Sequence, residues 1–227
     1  MHYFSRILLS IVLLLSISLN AQIISGDTFI KGNFVEVGVN DSGAYGSTVS
    51  APSDYHPRLN GGSGRNLGFV ADPQKDGWLV GSPAYFGDFF FPGMQQEGFS
   101  VQYNNNVYHN WTSGRNDIPG ANISLTDDGI NKTAIWEGIR DGLKITQKTI
   151  VPINEVYFVV RVEFKNTTTE TIDGVYYVRT LDPDNEVTLS GDYSTRNEIA
   201  YALPNANNNT LVTAKGLGGF KTLMQQG

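Results

Sequence analysis

Hydrophobic and polar residues alternate with a period of two along much of this chain. In the clearest run every second residue is apolar: Val156, Phe158, Val160, Val162 and Phe164. Successive side chains of a strand point to opposite faces, so this run predicts a strand with one face in the core. Residues 174–181 are rich in the β-branched and aromatic residues that strands favour. From Gln22 onward, no stretch keeps apolar residues at helical spacing over the length of an ordinary helix.

Short turn sequences separate these runs. Asp141-Gly142 lies between residues 135–140 and 143–151, and Asp128-Gly129 lies between two further runs. An Asp-Gly pair readily takes the positive φ angles of a type I′ hairpin. The triplet Asn104-Asn105-Asn106 predicts another hairpin tip. Strands at intervals of about ten residues with turns between them predict an all-β domain, and specifically an antiparallel β-sandwich.

The N-terminus has the order of a secretory signal peptide. Arg6 precedes an apolar run from Ile7 to Leu19, and the small residue Ala21 follows. The run is shorter than the ~20 residues that cross a bilayer. We therefore expect residues 1–21 to be a cleaved signal peptide and the exported chain to begin at Gln22. Residues 22–215 then form the β-sandwich domain, and residues 216–227 form an irregular tail, which suggests a fragment of a longer protein.

Composition and charge narrow the choice of partners. The chain of 227 residues has no cysteine, so the fold does not depend on disulfides, although export points to an oxidising compartment. The formal charge is −6, and removal of Arg6, the only charged residue among residues 1–21, makes it −7. There is no basic run, which argues against nucleic acid or an anionic membrane as a partner. After signal cleavage, no integral membrane segment is expected.

Two sets of acidic residues are candidates for chemistry. Asp182, Asp184 and Glu186 alternate over five residues at the end of a predicted strand, and such oxygen ligands can hold Ca²⁺. The alternative is a solvated turn in which Asp182 bonds nearby backbone groups. Paired carboxylates also perform glycoside hydrolysis. Possible members of such a pair do not stand out by spacing, and they include Glu36, Glu97, Glu137 and Asp182.

The segment from Tyr85 to Trp111 is unusually aromatic. Most of its rings are expected in the core, because aromatic side chains bury large apolar areas. Tyr108 and Trp111 follow the polar hairpin tip at residues 104–106, and we treat them as candidate glycan-binding residues.

Several separate blocks resemble a known family. They are residues 32–39 (GNFVEVGV), 43–46 (GAYG), 67–72 (LGFVAD), 87–93 (GDFFFPG) with 96–99 (QEGF), and 176–185 (YYVRTLDPDN). Together they resemble the N-terminal β-domain of large secreted surface proteins of Bacteroidota, of the kind that end in a gliding-motility-associated or type IX sorting domain. The resemblance implies a surface or adhesin-like role and brings no catalytic residues. The region around residues 143–182 is also similar, at the level of fold, to the supersandwich of sugar-processing enzymes.

These observations lead to one expected function and one alternative. The expected function is a non-catalytic, secreted β-sandwich module of an adhesin-like cell-surface protein, with glycans or surface proteins as partners. The alternative is a carbohydrate-binding module or a fragment of a carbohydrate-active enzyme. The expected location is extracellular or on the cell surface, or periplasmic if no sorting domain is attached.

Overall fold

The chain folds into β-strands joined by turns and loops. The computed structural model describes residues 21–57, 64–80, 88–91, 96–184, 195–199 and 212–216. Within these residues there is no helix, and twelve strands form three antiparallel sheets. The all-β fold predicted from the alternating pattern is therefore confirmed, and its arrangement is sandwich-like. Residues 1–20, the tail after residue 216 and Glu186 lie outside the described residues.

We call the three four-stranded sheets I, II and III. Sheet I has the strand order β1-β2-β3-β4, with β1 Ala21–Ile24, β2 Asp27–Lys31, β3 Val35–Val39 and β4 Phe69–Ala71. Sheet II has the order β12-β5-β6-β7, with β5 Glu97–Tyr103, β6 Asn106–Trp111, β7 Arg115–Asn116 and β12 Tyr176–Leu181. Sheet III has the order β11-β10-β9-β8, with β8 Gly120–Asp127, β9 Asn131–Arg140, β10 Leu143–Pro152 and β11 Val159–Asn166. Two further strands, β13 Thr195–Ile199 and β14 Val212–Gly216, pair with each other.

Sheet III forms one layer, and sheets I and II both pack against its inner face. One apolar cluster joins Ile30 and Val37 of sheet I to Ala134 and Val151 of sheet III. A second cluster joins sheet II to sheet III and contains Phe99, Val101, Tyr103, Trp136 and Ile145. Inner positions alternate with outer ones along β9 and β10, as the period of two requires.

Two of the three predicted hairpin turns follow the predicted chemistry; at the third, Asp128-Gly129, only the glycine has a positive φ, of 83°, because the loop between β8 and β9 has three residues instead of two. Asp141 and Gly142 both have positive φ angles, of 43° and 82°, and they join β9 to β10. Asn104 and Asn105, also with positive φ, join β5 to β6. Short polar residues and glycine tolerate this left-handed backbone, so these turns set the register of both hairpins.

Strand β11 differs from its prediction in two respects. It begins at Val159 rather than Val156, and its apolar face is only partly buried, since Phe164 is 37% exposed. The physical reason is its position, because β11 is the edge strand of sheet III and has a neighbour on one side only. Among the described residues, no helix exists that could cross a membrane.

Candidate functional site

A buried ion pair lies under sheet II at the centre of the sandwich. The guanidinium of Arg179 on β12 donates two hydrogen bonds to the Glu97 carboxylate of β5, with Nε–Oε1 and Nη2–Oε2 distances of 2.5 and 2.9 Å. Its Nη1 donates to Gln147 Oε1 of β10 at 2.7 Å. The guanidinium also lies 4.1 Å from the centre of the Tyr45 ring. Burial lowers the pKa of Arg179, but Glu97 more than offsets this and raises it, so the guanidinium stays charged.

Hydrogen bonds join the loop over residues 40–47, which follows sheet I, to Glu97 of sheet II and to Gln147 and Trp136 of sheet III. The Tyr45 backbone N–H donates to Glu97 Oε2 at 2.5 Å. Gln147 Nε2 and Trp136 Nε1 donate to the carbonyl oxygens of Gly43 and Asp41, at 3.0 and 2.8 Å. Both oxygens of Glu97 thus accept hydrogen bonds from Arg179 or the loop, and this carboxylate stabilises the fold.

Other buried carboxylates anchor loops in the same manner. Glu36 accepts from the backbone N–H and the ring Nδ1 of His56, at 2.6 and 2.8 Å. Asp27 accepts from the backbone N–H groups of Thr48 and Val49, at 2.5 and 3.0 Å. Each of these acids replaces the water that loop backbone groups would otherwise need.

Asp88 performs the same task in a more enclosed position. Its carboxylate accepts from the Gly68 backbone N–H at 2.7 Å and from those of Phe90 and Phe91 at 3.3 Å. Burial raises the pKa of Asp88 to about 7, although these backbone N–H groups lower it. Its protonation therefore changes within the physiological range.

The outward face of sheet II is different in character, and we call it the open face. It follows from the register of β12, β5 and β6, in which Tyr176, Gln102 and Val107 are opposite one another, as are Val178, Ser100 and His109, and Thr180, Gly98 and Trp111. Residues opposite each other in neighbouring strands share a face. On β12, β5 and β6 the side chains of the open face are Ser100, Gln102, Val107, His109, Trp111, Tyr176, Val178 and Thr180, and none of these is Asp, Glu, Lys or Arg. On the edge strand β7, Arg115 is opposite Trp111 and lies on the same face.

A cleft lies at one end of the open face, where β12 runs into the acidic segment. It has a volume of about 220 Å³ and is lined by Gln96, Glu97, Trp111, Thr180, Leu181 and Asp182. The indole N–H of Trp111 is buried and has no hydrogen-bond partner within the described part of the chain. Such an orphan donor is unusual in a folded protein. The cleft therefore combines an aromatic ring with amide, hydroxyl and carboxylate groups.

Two of the three predicted calcium ligands, Asp182 and Asp184, lie at or next to the edge of this cleft. Asp182 lines it, and Asp184 is 4% exposed just beyond. Burial raises the pKa of Asp184 to about 6, and the charge of Asp182 adds to the increase. Across residues 21–57, 64–80, 88–91 and 96–184, no three His, Asp or Glu side chains are grouped closely enough to hold a metal. Since Glu186 is outside the described residues, the calcium site stays a prediction.

The two predicted glycan-binding residues lie on opposite faces of β6. Trp111 is on the open face, where its ring lies 5.7 Å from that of His109. Tyr108 points inward, packs beside Tyr103 at 5.0 Å between ring centres, and donates its hydroxyl hydrogen to Asp141 at 2.5 Å. One flat ligand cannot contact both rings, so Trp111 alone belongs to the open face.

The four acids considered for hydrolysis are dispersed. Glu36 is buried in the loop anchor described above, and Glu137 faces outward on sheet III, where it bonds Lys144 at 2.8 Å. Glu97 and Asp182 line the same cleft, but the Glu97 carboxylate is hydrogen-bonded to Arg179. Arg179 was not predicted as a site residue, although a charged residue at an inward position of β12 could have indicated a buried ion pair.

A second concavity, of about 220 Å³, lies between sheets I and III and is apolar. Its lining consists of Val35, Phe69, Val70, Ala71, Phe89, Val156, Tyr157 and Phe158. Its lining has a single polar side-chain group, the Tyr157 hydroxyl, so the cleft at the end of the open face and the open face itself form the better candidate site.

Comparisons with profiles of known families, with curated proteins and with solved structures found no match.

Proposed function

We propose that this chain is a non-catalytic β-sandwich module of an exported bacterial surface protein, with an adhesin-like role. Three features support the proposal: the apolar N-terminal segment, the resemblance of five blocks to surface proteins of Bacteroidota, and the use of the acidic side chains. The third carries most weight. Glu36, Glu97, Asp27 and Asp88 are each bonded to loop backbone or to a buried cation.

This use of carboxylates bears directly on catalysis. A glycosidase needs one carboxyl group to donate a proton and a second carboxylate facing it across the substrate. A carboxylate that holds Arg179 through two hydrogen bonds cannot take up either role without breaking that pair. The arrangement favours a module that binds and does not react.

The location is tested on intact cells that express the natural gene. A membrane-impermeant label or added protease should reach the protein, and the mass of the recovered chain should correspond to a start at Gln22. Recovery of an unprocessed chain from inside the cell would contradict export.

The alternative, a fragment of a carbohydrate-active enzyme, is favoured by one observation, which is that Glu97 and Asp182 share a cleft. A reducing-sugar assay on the exported chain separates the two functions. We expect no sugar release from polysaccharides or aryl-glycosides. Release that disappears in Asp182→Asn, with folding retained by circular dichroism, would establish the enzyme instead.

A further inference from the structure

We infer that the open face of sheet II binds a neutral polysaccharide, an inference that rests on the proposed role of the chain as an exported binding module. The first reason is exposure. Tyr176 and Val178 of β12 are 67% and 52% exposed, and Val107 of β6 is 49% exposed. Aromatic and aliphatic side chains grouped on one sheet face are typical of interaction sites.

The outward face of sheet III provides an internal reference. There the same alternation places Lys144 against Glu137 at 2.8 Å, and Lys148 and Arg161 against Glu163 at 3.3 and 2.9 Å. That face is an ordinary solvated surface of paired charges. On β12, β5 and β6 the open face carries no charged side chain; a charge enters only at the edge strand β7, where Arg115 is opposite Trp111 and pairs with Asp117 at 3.0 Å. The difference points to an uncharged ligand.

The aromatic residues are arranged to contact a flat, extended ligand. Trp111 lies beside Gly98, where a Cβ atom would come within 2.7 Å of the indole Cδ1, so the absence of a side chain leaves room for the ring to lie along the sheet. On β12, Tyr176 is four residues from Thr180, which is in the same row as Trp111, and β12 is two strands away from β6. At standard strand spacings Tyr176 and Trp111 are therefore about 16 Å apart. A ligand that contacts both rings must therefore be several sugar units long.

Hydrogen-bonding groups lie beside the rings, since Gln102 is opposite Tyr176 and Thr180 is in the same row of the sheet as Trp111. The side chains of Gln102 and Thr180 are exposed. An amide and a hydroxyl both donate and accept, as sugar hydroxyls do. At the adjoining cleft, Gln96 and Asp182 add an amide and a carboxylate. Rings that contact apolar sugar faces, with amides and hydroxyls beside them, match the two chemistries of a saccharide.

Two other occupants fit the face less well. A polyanion would be repelled by a chain of charge −6 that has no basic run. A second copy of this chain would need a more apolar patch than one in which Ser100, Gln102 and Thr180 separate the hydrophobic side chains.

The test uses the exported chain over residues 22–227 and affinity electrophoresis in gels that contain xyloglucan or galactomannan, with alginate as the anionic polysaccharide. Microcrystalline cellulose serves for pull-down. We expect retention by at least one neutral polysaccharide and none by alginate. Retention should persist in about 1 M salt, where the Debye length is ~3 Å, because no charge pairs carry the binding.

Variants then locate the site. Tyr176→Ala should weaken binding by about 3- to 10-fold and Trp111→Ala by about tenfold, since each removes one aromatic contact. Tyr157→Ala is the matched control, because Tyr157 is 53% exposed but lines the apolar concavity between sheets I and III. It should bind as the wild type does. Urea unfolding of each variant checks that the fold is kept.

Three results would overturn the inference: no retention by any neutral polysaccharide, retention that both open-face variants leave unchanged, or a dimer in sedimentation that Tyr176→Ala dissociates. Any of these, together with surface labelling and no sugar release, would leave the proposed function intact. Sugar release lost in Asp182→Asn would instead refute the non-catalytic function itself.

Discussion

The two faces of sheet II carry polar side chains for opposite purposes. On the inner face, Glu97 and Arg179 bond each other, Gln147 and the loop over residues 40–47. On the outer face, the side chains of Thr180 and Gln102 are exposed. Adjacent residues of one strand therefore differ in role, since Arg179 joins sheet II to sheet III and to the loop over residues 40–47, while Thr180 is available to a ligand. The comparison predicts that inner-face changes reduce stability and outer-face changes reduce binding.

The largest expected effect comes from removing Trp136, which closes the core beneath sheet II. Its side chain is 1% exposed, and its N–H holds the carbonyl of Asp41 at 2.8 Å. Trp136→Ala should lower the free energy of unfolding by about 3–5 kcal/mol in urea titration. Ile139→Ala on the same strand is the control, because Ile139 is 50% exposed, and it should change the value by less than about 0.5 kcal/mol. Similar losses of unfolding free energy in both variants would contradict the prediction that inward-facing residues determine stability.

A smaller effect is expected where the loop touches that tryptophan. Gly43 has φ +80°, and a Cβ atom there would come within 2.6 Å of the Trp136 ring. Gly43→Ala should cost about 1–3 kcal/mol from overpacking, in addition to backbone strain. Gly129→Ala isolates the clash, because Gly129 has φ +83° with no atom within 4 Å. Thermal melts should show the larger loss for Gly43→Ala, and equal losses would mean that strain alone matters.

Buried and exposed carboxylates should respond to pH in opposite senses. Burial raises the pKa of Asp88 from 3.8 to about 7. Between these values the native state keeps a proton that the unfolded chain has lost, so stability falls as pH rises through this window. Relative to Asp88→Asn, the wild type should gain up to about 1.4 kcal/mol per pH unit on acidification from neutral pH. Parallel pH profiles for the two proteins would contradict this.

Asp128 is the control for the pH experiment. It is fully exposed, and hydrogen bonds from Asn131 and Ile130 lower its pKa. A group with a lowered pKa contributes stability above its unfolded value and loses it on acidification, which is the reverse of Asp88. Asp128→Asn should therefore leave the profile near neutral pH unchanged.

The smallest expected effect concerns calcium at Asp182 and Asp184. The two carboxylates are close enough for the charge of Asp182 to raise the pKa of Asp184, and a cation would relieve that repulsion. A chelator should lower the melting temperature of the wild type, by mass action, and not that of Asp184→Asn. Asp76→Asn, in another exposed loop, should still respond. An identical melting temperature of the wild type with and without chelator would contradict calcium binding and support a solvated turn.

Local patterns predicted the strands and hairpins because their causes are local. Alternation indicated β10 and β11, β-branched and aromatic residues indicated β12, and the pairs Asp141-Gly142 and Asn104-Asn105 supplied the positive φ angles that their turns need. The degree of burial of β11 was not predictable in this way. It depends on which strands are neighbours, and the alternating pattern of an edge strand looks like that of a central one.

The site was predictable only in part. Tyr108 and Trp111 are three residues apart, and an odd separation in a strand puts two side chains on opposite faces. That only one of them lies on the open face could therefore have been predicted from the sequence. Asp182 and Trp111 were both candidates, but their meeting in one cleft depends on the pairing of β12 with β5 and β6. The Glu97–Arg179 pair joins residues 82 positions apart, and a single chain carries no signal of that distance.

The most direct test of the division between the two faces is the free energy of unfolding of two variants at adjacent positions of β12. Arg179→Ala leaves the buried Glu97 carboxylate unpaired, and it should lower the free energy of unfolding by about 3–5 kcal/mol in urea titration. Thr180→Ala, on the open face, should change it by less than about 0.5 kcal/mol. Equal losses at the two positions, or no loss at Arg179, would contradict the account.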